Sequence, residues 1–335
     1  MKVLITGSAG FIGFHLAKVL LAEGFTVHGY DGLTNYYDPV LKNNRHKILM
    51  TNPKFTATIG MLEDEKKLYS TAKEFKPEII IHLAAQAGVR YSLENPRSYI
   101  DSNIIGTFNV MEVARKEKIK HLLMASTSSV YGANVKMPFI EKEKTDSQLT
   151  IYAATKKANE SMAHSYAYLW KIPTTMFRFF TVYGPWGRPD MALFKFVSAI
   201  INNKPIDIYN QGEMYRDFTY IDDLVHSIYL LINKIPFNSS DTENLSKDNV
   251  SPVAPYRVVN IGNSTKIKLL DFIEIVEDVI GKKAIRNYMP MQKGDVMSTW
   301  ADTSVLQNLT GYHPKTNVKD GVKNFVNWYR KYYNN

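Results

Sequence analysis

The chain has 335 residues, of which 45% are hydrophobic and 22% charged, with a formal net charge of +9 and no cysteine. This composition is that of a folded globular protein with one large domain or two fused ones, and it excludes disorder, disulfides and thiolate metal sites. No apolar run reaches the roughly 18 residues of a membrane span, so we expect a cytoplasmic protein with no membrane partner. Lysine and arginine are scattered, which favours an anionic small molecule over nucleic acid as the ligand.

Short runs rich in β-branched residues alternate with amphipathic segments over the first half of the chain. The runs with strand character are VLIT (3–6), TVHGYD (26–31), EIIIHLAA (78–85), HLLMAS (121–126) and TTMFRFF (174–180). Parallel strands joined by helices give this alternation, so the sequence predicts an α/β fold with a Rossmann-like, doubly wound parallel sheet.

The pattern changes near residue 185, where short elements punctuated by proline replace the regular alternation. We therefore expect two domains, a larger one in 1–185 and a smaller C-terminal α/β domain in 186–335 whose chain can cross back to the sheet. The polar stretch NSSDTENLSKDNVSP (238–252) lacks apolar periodicity and is predicted to be a mobile surface insertion.

A glycine motif, GSAGFIG (7–13), follows the first strand directly and opens a helix pattern. Gly7, Gly10 and Gly13 then occupy a tight turn in which backbone amides and the helix dipole can bind a pyrophosphate. The spacing is one residue longer than that of the standard dinucleotide fingerprint. A purely structural turn is the alternative, and the position between strand and helix favours a dinucleotide site.

An acidic residue, Asp31, ends the second strand about 20 residues further on, as in dinucleotide-binding folds. Its carboxylate can accept both hydroxyls of a ribose, and its charge repels the 2′-phosphate of NADP. The sequence therefore predicts NAD as the cofactor. Lys42 and Arg45 lie nearby and are interpreted as solvated helix charges.

Tyr152 and Lys156 stand in the helical stretch IYAATKKANE, four residues apart and so on one face. A nearby ammonium favours phenolate, so we expect Lys156 to lower the pKa of the Tyr152 phenol. Such a tyrosine can act as a base on a substrate hydroxyl near neutral pH. Pairs of this kind are mostly structural when they occur alone, but here a dinucleotide motif and a run of hydroxyl residues accompany the pair and indicate catalysis.

Further motifs, HLAAQAGVRYS, STSSVYG, FRFFTVYGP, GEMYRDFTYIDD and MQKGDV, follow in order over nearly the whole chain. Together with the glycine motif and the Tyr152 to Lys156 pair, they resemble the extended short-chain dehydrogenase/reductase family, in its nucleotide-sugar-modifying branch. The resemblance implies an NAD-binding Rossmann domain that carries the catalytic residues, a small domain that closes on a UDP- or dTDP-sugar, and a homodimer formed through a helix pair. Helix 152–170, with Tyr166, Tyr168 and Trp170, is either that dimer seam or buried core.

The resemblance also assigns individual residues. Cofactor contacts, besides the glycines, Asp31 and the catalytic pair, fall on Phe11, Ile12, Leu83, Ala84, Ala85 and Asn103. Arg216 would face the substrate diphosphate, and Asp295 would bind the nucleoside ribose. Two positions depart from the family: Met61 stands where an aspartate often reads adenine, and Gln292 stands where galactose epimerases have an arginine.

Three hydroxyl residues, Thr127, Ser128 and Ser129, precede VYG. In the family, the position of Thr127 shares the sugar 4-hydroxyl with the catalytic tyrosine. Sugar dehydratases resemble T-D-E-V-Y-G and UDP-glucuronate decarboxylases T-S-E-V-Y-G, whereas here serines replace both carboxyls. A site without a second acid or base is equipped for oxidation at C4 and its reversal, which is epimerisation.

Arg188 in GPWGRPD suggests which sugar is bound, because a guanidinium fork matches a carboxylate. YGPWGRPDMA together with PMQKGDV resembles UDP-glucuronate 4-epimerases, which implies interconversion of UDP-glucuronate and UDP-galacturonate through a 4-keto intermediate. The alternatives are a 4-epimerase of a neutral UDP-hexose or UDP-N-acetylhexosamine, a UDP-glucuronate decarboxylase, and a non-catalytic NAD-binding regulator on the same fold. If these residues have no functional role, Arg188 is a solvated loop charge and the serines are turn residues.

Overall fold

The computed structural model describes residues 1–237 and 248–334. Its strands are β1 (Lys2–Thr6), β2 (Thr26–Asp31), β3 (Phe55–Ile59), β4 (Ile79–His82), β5 (His121–Thr127), β6 (Thr174–Phe179), β7 (Thr181–Tyr183), β8 (Pro205–Tyr209), β9 (Tyr215–Tyr220), β10 (Tyr256–Ile261), β11 (Lys266–Lys268), β12 (Ile285–Met289) and β13 (Ser298–Thr299). Its helices are α1 (Phe11–Ala22), α2 (Pro39–Met50), α3 (Glu65–Phe75), α4 (Tyr91–Glu94), α5 (Pro96–Tyr99), α6 (Thr107–Lys116), α7 (Ile151–Trp170), α8 (Ala192–Ile201), α9 (Ile221–Ile232), α10 (Leu269–Ile280), α11 (Ser304–Thr310) and α12 (Val318–Tyr333).

Seven parallel strands form the main sheet in the order β10-β6-β5-β4-β1-β2-β3. From β1 the chain adds β2 and β3 on one side and then crosses to add β4, β5 and β6 on the other. Open α/β sheets bind ligands at this switch point between β1 and β4. The predicted Rossmann-like fold class is confirmed. The sequence analysis missed β3, whose residues FTATI alternate polar and apolar because this strand lies at the sheet edge and is only partly buried.

Both faces of the sheet are covered by apolar side chains, as a parallel sheet requires. Along β1, Val3 and Ile5 belong to a core cluster on one face, while Leu4 belongs to a second cluster on the other. The two-residue period of a strand produces this division. Successive apolar residues in β1, VLI (3–5), thus reflect a strand that is buried on both faces.

After β6, the C-terminal half adds one strand to the main sheet and forms two smaller sheets of its own. Strand β10 completes the main sheet beside β6, while β7, β9, β11 and β13 form a separate sheet and β8 pairs with β12. We propose that the division into domains near residue 185 holds, with β10 as the segment that returns to the sheet. Within the predicted insertion 238–252, residues 238–247 lie outside the described residues, and Val250 forms a β-bridge with Arg257. No helix of 1–237 or 248–334 is long and apolar enough to cross a membrane.

Helix α7 carries the predicted catalytic pair, and local signals fix both of its ends. The Thr150 hydroxyl caps the first turn by accepting from the Ala153 amide at 3.2 Å. Lys171 ends the helix in a left-handed conformation with φ of 54°, and Pro173 prevents its continuation. The helix between these signals has twenty residues, and Tyr152 lies in its first turn.

A buried ion pair attaches α7 to the sheet. Glu160 accepts from Arg178 Nε at 2.9 Å and Nη2 at 2.8 Å, and Ser126 Oγ donates to it at 2.7 Å. Both charged side chains are only 3% exposed. Although burial works in the opposite direction, the hydrogen bonds and charge of Arg178 hold the pKa of Glu160 below its ordinary value. The pair connects α7, β5 and β6.

Replacing this carboxylate should destabilise the fold strongly. Glu160→Gln leaves the Arg178 charge buried without its counterion, so the free energy of unfolding should fall by about 3 to 5 kcal/mol. Urea denaturation followed by circular dichroism measures this loss. Glu65→Gln is the matched control, because Glu65 is 55% exposed in its pair with Lys116, and it should change stability by less than about 1 kcal/mol. Equal effects of the two substitutions would contradict the structural role of Glu160.

Candidate active site

A cavity of about 440 Å³ opens at the carboxyl ends of the sheet strands. It is large enough for part of a dinucleotide and a sugar together, and it lies where the topology predicts. The sequence-predicted residues that line it are Gly7, Gly10, Phe11, Ile12, Gly13, Asp31, Leu83, Ala84, Ala85, Thr127, Ser128, Ser129, Tyr152, Lys156, Arg188, Arg216 and Asp295.

The glycine turn forms a cradle without side chains. A Cβ on Gly13 would lie 2.1 Å from the Gly7 carbonyl oxygen, and one on Gly7, whose φ is +78°, would lie 2.7 Å from the Ala84 amide nitrogen. Helix α1 begins after Gly10 with no side-chain cap, so its first amides are left to a ligand. The residues present therefore fit the pyrophosphate of NAD.

Asp31 stabilises this turn with its own carboxylate. Oδ2 accepts from the Ala9 amide at 2.9 Å and Oδ1 from the Leu33 amide at 2.8 Å. A carboxylate has about four acceptor sites, so two remain for ribose hydroxyls. Asp31 thus fixes the loop and can also bind a cofactor ribose.

The interpretation of Lys42 and Arg45 as solvated charges is wrong. Arg45 is fully buried and donates to the carbonyl oxygens of Ala9, at 3.0 Å, and Trp186, at 2.5 Å. Lys42 is 6% exposed and donates to the Thr34 carbonyl at 2.7 Å, and burial lowers its pKa. The loop of Trp186, distant in sequence, covers Arg45, and the loop before α2 supplies the Thr34 partner of Lys42. The charge pattern of the helix alone could therefore not reveal that both side chains are buried.

Tyr152 lies on the cavity wall within hydrogen-bond reach of Thr127. Burial raises the pKa of its phenol above the ordinary value, while the Thr127 hydrogen bond and the Arg188 charge act in the opposite direction. The expected lowering of this pKa by Lys156 is therefore wrong for the protein alone. Desolvation of the phenolate outweighs the nearby cations.

Lys156 is 2% exposed and lies one turn after Tyr152 on the cavity side of α7. Burial lowers its pKa to about 8, and Glu160 partly opposes that shift. Its ammonium is thus near its titration point at physiological pH. Polar oxygens of a bound ribose would stabilise the charged form.

Asn103 lies behind the cavity wall, in a π-helical turn over Ile100–Gly106. Its side chain accepts from the Gln86 amide at 2.9 Å and donates to the Gln86 carbonyl at 3.0 Å and to Thr155 Oγ1 at 3.1 Å. It therefore holds the loop after β4 against α7. The structure gives it a supporting position and no place on the cavity wall.

The hydroxyl triple begins at the last residue of β5. Thr127 Oγ1 accepts from the Ser129 amide at 3.2 Å and donates to Ser129 Oγ at 3.3 Å, so the turn interpretation is partly correct. All three side chains nevertheless line the cavity beside Tyr152. They present hydroxyl groups without a carboxyl at these positions.

Arg188 is not a solvated loop charge, since its side chain is 20% exposed and forms a two-point pair with Asp190. Nε lies 3.1 Å from Oδ1 and Nη2 lies 2.5 Å from Oδ2. The Tyr36 hydroxyl also donates to Oδ2 at 3.1 Å. Asp190 thus holds the guanidinium at the cavity wall.

At the far end of the cavity, Arg216 donates to the carbonyl oxygens of Tyr215 and Met297. Burial lowers its pKa, and the charge of Asp295 opposes the shift. The sequence analysis missed Arg90, whose Nη2 lies 3.4 Å from Asp295 Oδ2. The sequence could have indicated Arg90, because it is a basic residue in the motif HLAAQAGVRYS, in the loop after β4.

Comparison with known proteins extends over the whole chain. Residues 3–245 match the NAD dependent epimerase/dehydratase family. The chain is 55% identical over 334 residues to a Rhizobium meliloti protein named "Probable UDP-glucuronate 4-epimerase", covering 99% of this chain and 98% of that one. It is 43% identical over 338 residues to UDP-glucuronate 4-epimerase 1 of Arabidopsis thaliana, covering 99% of this chain and 77% of the plant protein.

Solved structures agree with the sequence comparison. UDP-glucuronic acid 4-epimerase from Bacillus cereus, in complex with UDP-glucuronic acid and NAD, superposes with a TM-score of 0.88. The two chains are 30% identical, and the superposition covers 99% of this chain and 100% of that one. The chain therefore belongs to the NAD dependent epimerase/dehydratase family.

Proposed function

We propose that the protein is a UDP-glucuronate 4-epimerase that interconverts UDP-glucuronate and UDP-galacturonate, with NAD reduced and reoxidised in each turnover. The observation that carries this proposal is the wall formed by Thr127, Ser128, Ser129 and Arg188 beside Tyr152. It offers one base, hydroxyl donors and one guanidinium, which suits a carboxylated sugar that is oxidised at C4 and then reduced. The relatives named above support the same assignment.

The protein's own groups have distinct tasks in this reaction. Tyr152 takes the proton of the 4-hydroxyl and later returns it, while Thr127 shares that hydroxyl and keeps it in line. Lys156 donates to a cofactor ribose and stabilises the Tyr152 phenolate. NAD, when bound, supplies the acceptor and donor of hydride at C4, held by the glycine turn and Asp31. Between the two half-reactions the sugar must present its other face to the cofactor.

The 4-keto intermediate of a uronic acid is a β-keto acid, which loses carbon dioxide when the bond to the carboxylate stands perpendicular to the carbonyl plane. Ser128, Ser129 and Arg188 can hold the carboxylate away from that angle. Asp190 already orients the Arg188 fork, so little further ordering is needed when the substrate binds. The site thereby favours epimerisation over decarboxylation.

If the sugar is to rotate within the site, the UDP part of the substrate must stay tightly bound. We propose that Arg216 and Asp295 bind the diphosphate and the nucleoside ribose, with Arg90 paired to Asp295 from behind the cavity wall. Binding energy from these distant contacts keeps the ketone in place while its own contacts are exchanged.

We also propose that the protein is a cytoplasmic homodimer. At the end of α7, Tyr168, Leu169 and Trp170 are 50%, 61% and 44% exposed, and Phe108 on the adjacent α6 is 44% exposed. Tyr166 is buried, so the predicted seam is confined to the outer residues of the helix. A patch of this kind supports a helix-pair interface. Light scattering that gives a single chain mass of 38.3 kDa would contradict it.

The first test follows the anomeric proton signals of UDP-glucuronate by NMR after addition of protein and NAD. UDP-galacturonate should accumulate with little UDP-pentose, because the carboxylate is held. Tyr152→Phe should slow this conversion by at least about 100-fold, since it removes the only proposed base. UDP-xylose as the main product would indicate a decarboxylase, and an unchanged spectrum would redirect the assignment to neutral UDP-sugars. A Tyr152→Phe variant as active as the wild type would contradict the assigned base.

A second test removes the guanidinium. Arg188→Ala should weaken binding of UDP-glucuronate by about 100-fold, the effect of a lost charge-assisted hydrogen-bond pair, and change binding of UDP-glucose by less than about threefold. Calorimetric titration of the NAD-loaded protein measures both affinities. Arg97→Ala is the control, because Arg97 is 78% exposed and outside the cavity wall. Equal losses for both sugars would contradict the carboxylate contact.

A third test concerns pH. The free protein loses the Lys156 ammonium as pH rises through about 8, whereas a bound ribose favours the charged form. Binding above that pH must therefore take up a proton, so the Kd for NAD should weaken by up to about tenfold per pH unit. Fluorescence titration between about pH 7 and pH 10 measures the trend. Lys156→Arg, which stays charged, should flatten it, and a flat wild-type profile would contradict the assignment.

A further inference from the structure

The cavity wall next to Asp31, the residue assigned to the cofactor ribose, includes Gly32, Met61 and Glu63. The resemblance to the family places the adenine of the cofactor here, with Met61 at a position where an aspartate is common. The Met61 sulfur lies against the Gly32 backbone, where a Cβ on Gly32 would be 2.5 Å from it. A thioether is a weak hydrogen-bond acceptor, so Met61 cannot read an exocyclic amine as a carboxylate does. Another residue must supply any polar recognition of the base.

Glu63 lies two residues further along and also lines the cavity. Its Oε1 accepts from Ser102 Oγ at 3.3 Å. Its Oε2 is buried and has no hydrogen-bond partner within the described part of the chain. A carboxylate oxygen shielded from water without a donor is unfavourable, so this atom is suited to a donor that a ligand supplies.

The segment around Glu63 is held in place by the protein. The Tyr30 hydroxyl donates to the Met61 carbonyl at 3.0 Å, and Asn109 Nδ2 donates to the Leu62 carbonyl at 2.9 Å. These two contacts fix the backbone at the two residues directly before Glu63, in the turn that leads into α3. The Glu63 carboxylate is therefore directed by a rigid support and needs little ordering to bind a base.

The neighbouring acidic residues are committed elsewhere. Asp64 caps α3 by accepting from the Lys67 amide at 3.0 Å. Glu65 pairs with Lys116 at 3.3 Å and is 55% exposed, outside the cavity. Among these three successive acids, Glu63 alone faces the cavity.

We propose that Glu63 recognises the adenine of NAD by accepting a hydrogen bond from its exocyclic N6 amine, in place of the aspartate that Met61 replaces. The inference rests on the NAD site of the proposed function. It makes Glu63 a determinant of base specificity with no part in the chemistry at C4. A base that carries a carbonyl oxygen at this position would meet the carboxylate as a second acceptor and be rejected.

The test is a competition between NAD and nicotinamide hypoxanthine dinucleotide, in which oxygen replaces the N6 amine. The protein is equilibrated with an equimolar excess of both, separated from free nucleotide by gel filtration, denatured, and its released nucleotides are quantified by chromatography. The wild type should retain at least about tenfold more NAD, the discrimination of one charge-assisted hydrogen bond. Glu63→Gln can both donate and accept, so its ratio should fall to within about twofold of unity.

Glu65→Gln is the matched control and should keep the wild-type ratio. Adding Met61→Asp to Glu63→Gln should restore the preference for NAD, because it returns an acceptor to the same end of the cavity, and this double variant also shows that the site is intact. An unchanged ratio in Glu63→Gln, or no preference in the wild type, would overturn the role of Glu63 while leaving NAD binding in place. Retention of neither dinucleotide by the wild type would overturn the NAD site itself and the inference with it.

Discussion

The buried pair of Glu160 and Arg178 is the constraint on which the site depends. Glu160 lies one turn beyond Lys156 on α7, and it also accepts from Ser126, the residue before Thr127. One carboxylate thus sets the distance between the helix that carries Tyr152 and the strand that ends at the hydroxyl triple. A buried ion pair gains little net stability over apolar packing, but it enforces one geometry. That geometry is what a proton transfer across a single hydrogen bond requires.

The ionisation of the cavity side chains is suited to binding the positively charged nicotinamide ring. Burial raises the pKa of Tyr152 and lowers that of Lys156, so in the protein alone burial disfavours the charged form of each group. His82 beneath them is held neutral, because burial and the charge of Lys156 lower its pKa to about 3. The oxidised nicotinamide carries a positive charge that favours phenolate. In the proposed mechanism, Tyr152 therefore becomes an effective base when the cofactor is bound in its oxidised form.

The sequence was sufficient for the fold class and for most of the cavity wall. Strand runs and glycine spacing depend on local rules, and the carboxyl ends of parallel strands meet at one edge, so Gly7, Asp31 and Thr127 converge without any tertiary information. Arg45 and Arg90 could not be placed in this way, since the groups that cover or pair with them come from loops more than a hundred residues away. The pKa of Tyr152 was also beyond local reasoning, because it depends on how completely the fold removes water.

Strand β10 has a consequence for how the chain is made. It is the outer strand beside β6, yet it lies about 80 residues after β6 in the sequence. During synthesis from the N-terminus, β6 exposes an unpaired apolar edge until residue 261 has left the ribosome. At typical elongation rates that interval lasts for several seconds or longer. Such an edge can pair with other chains, so the nascent protein is most prone to aggregation during this window.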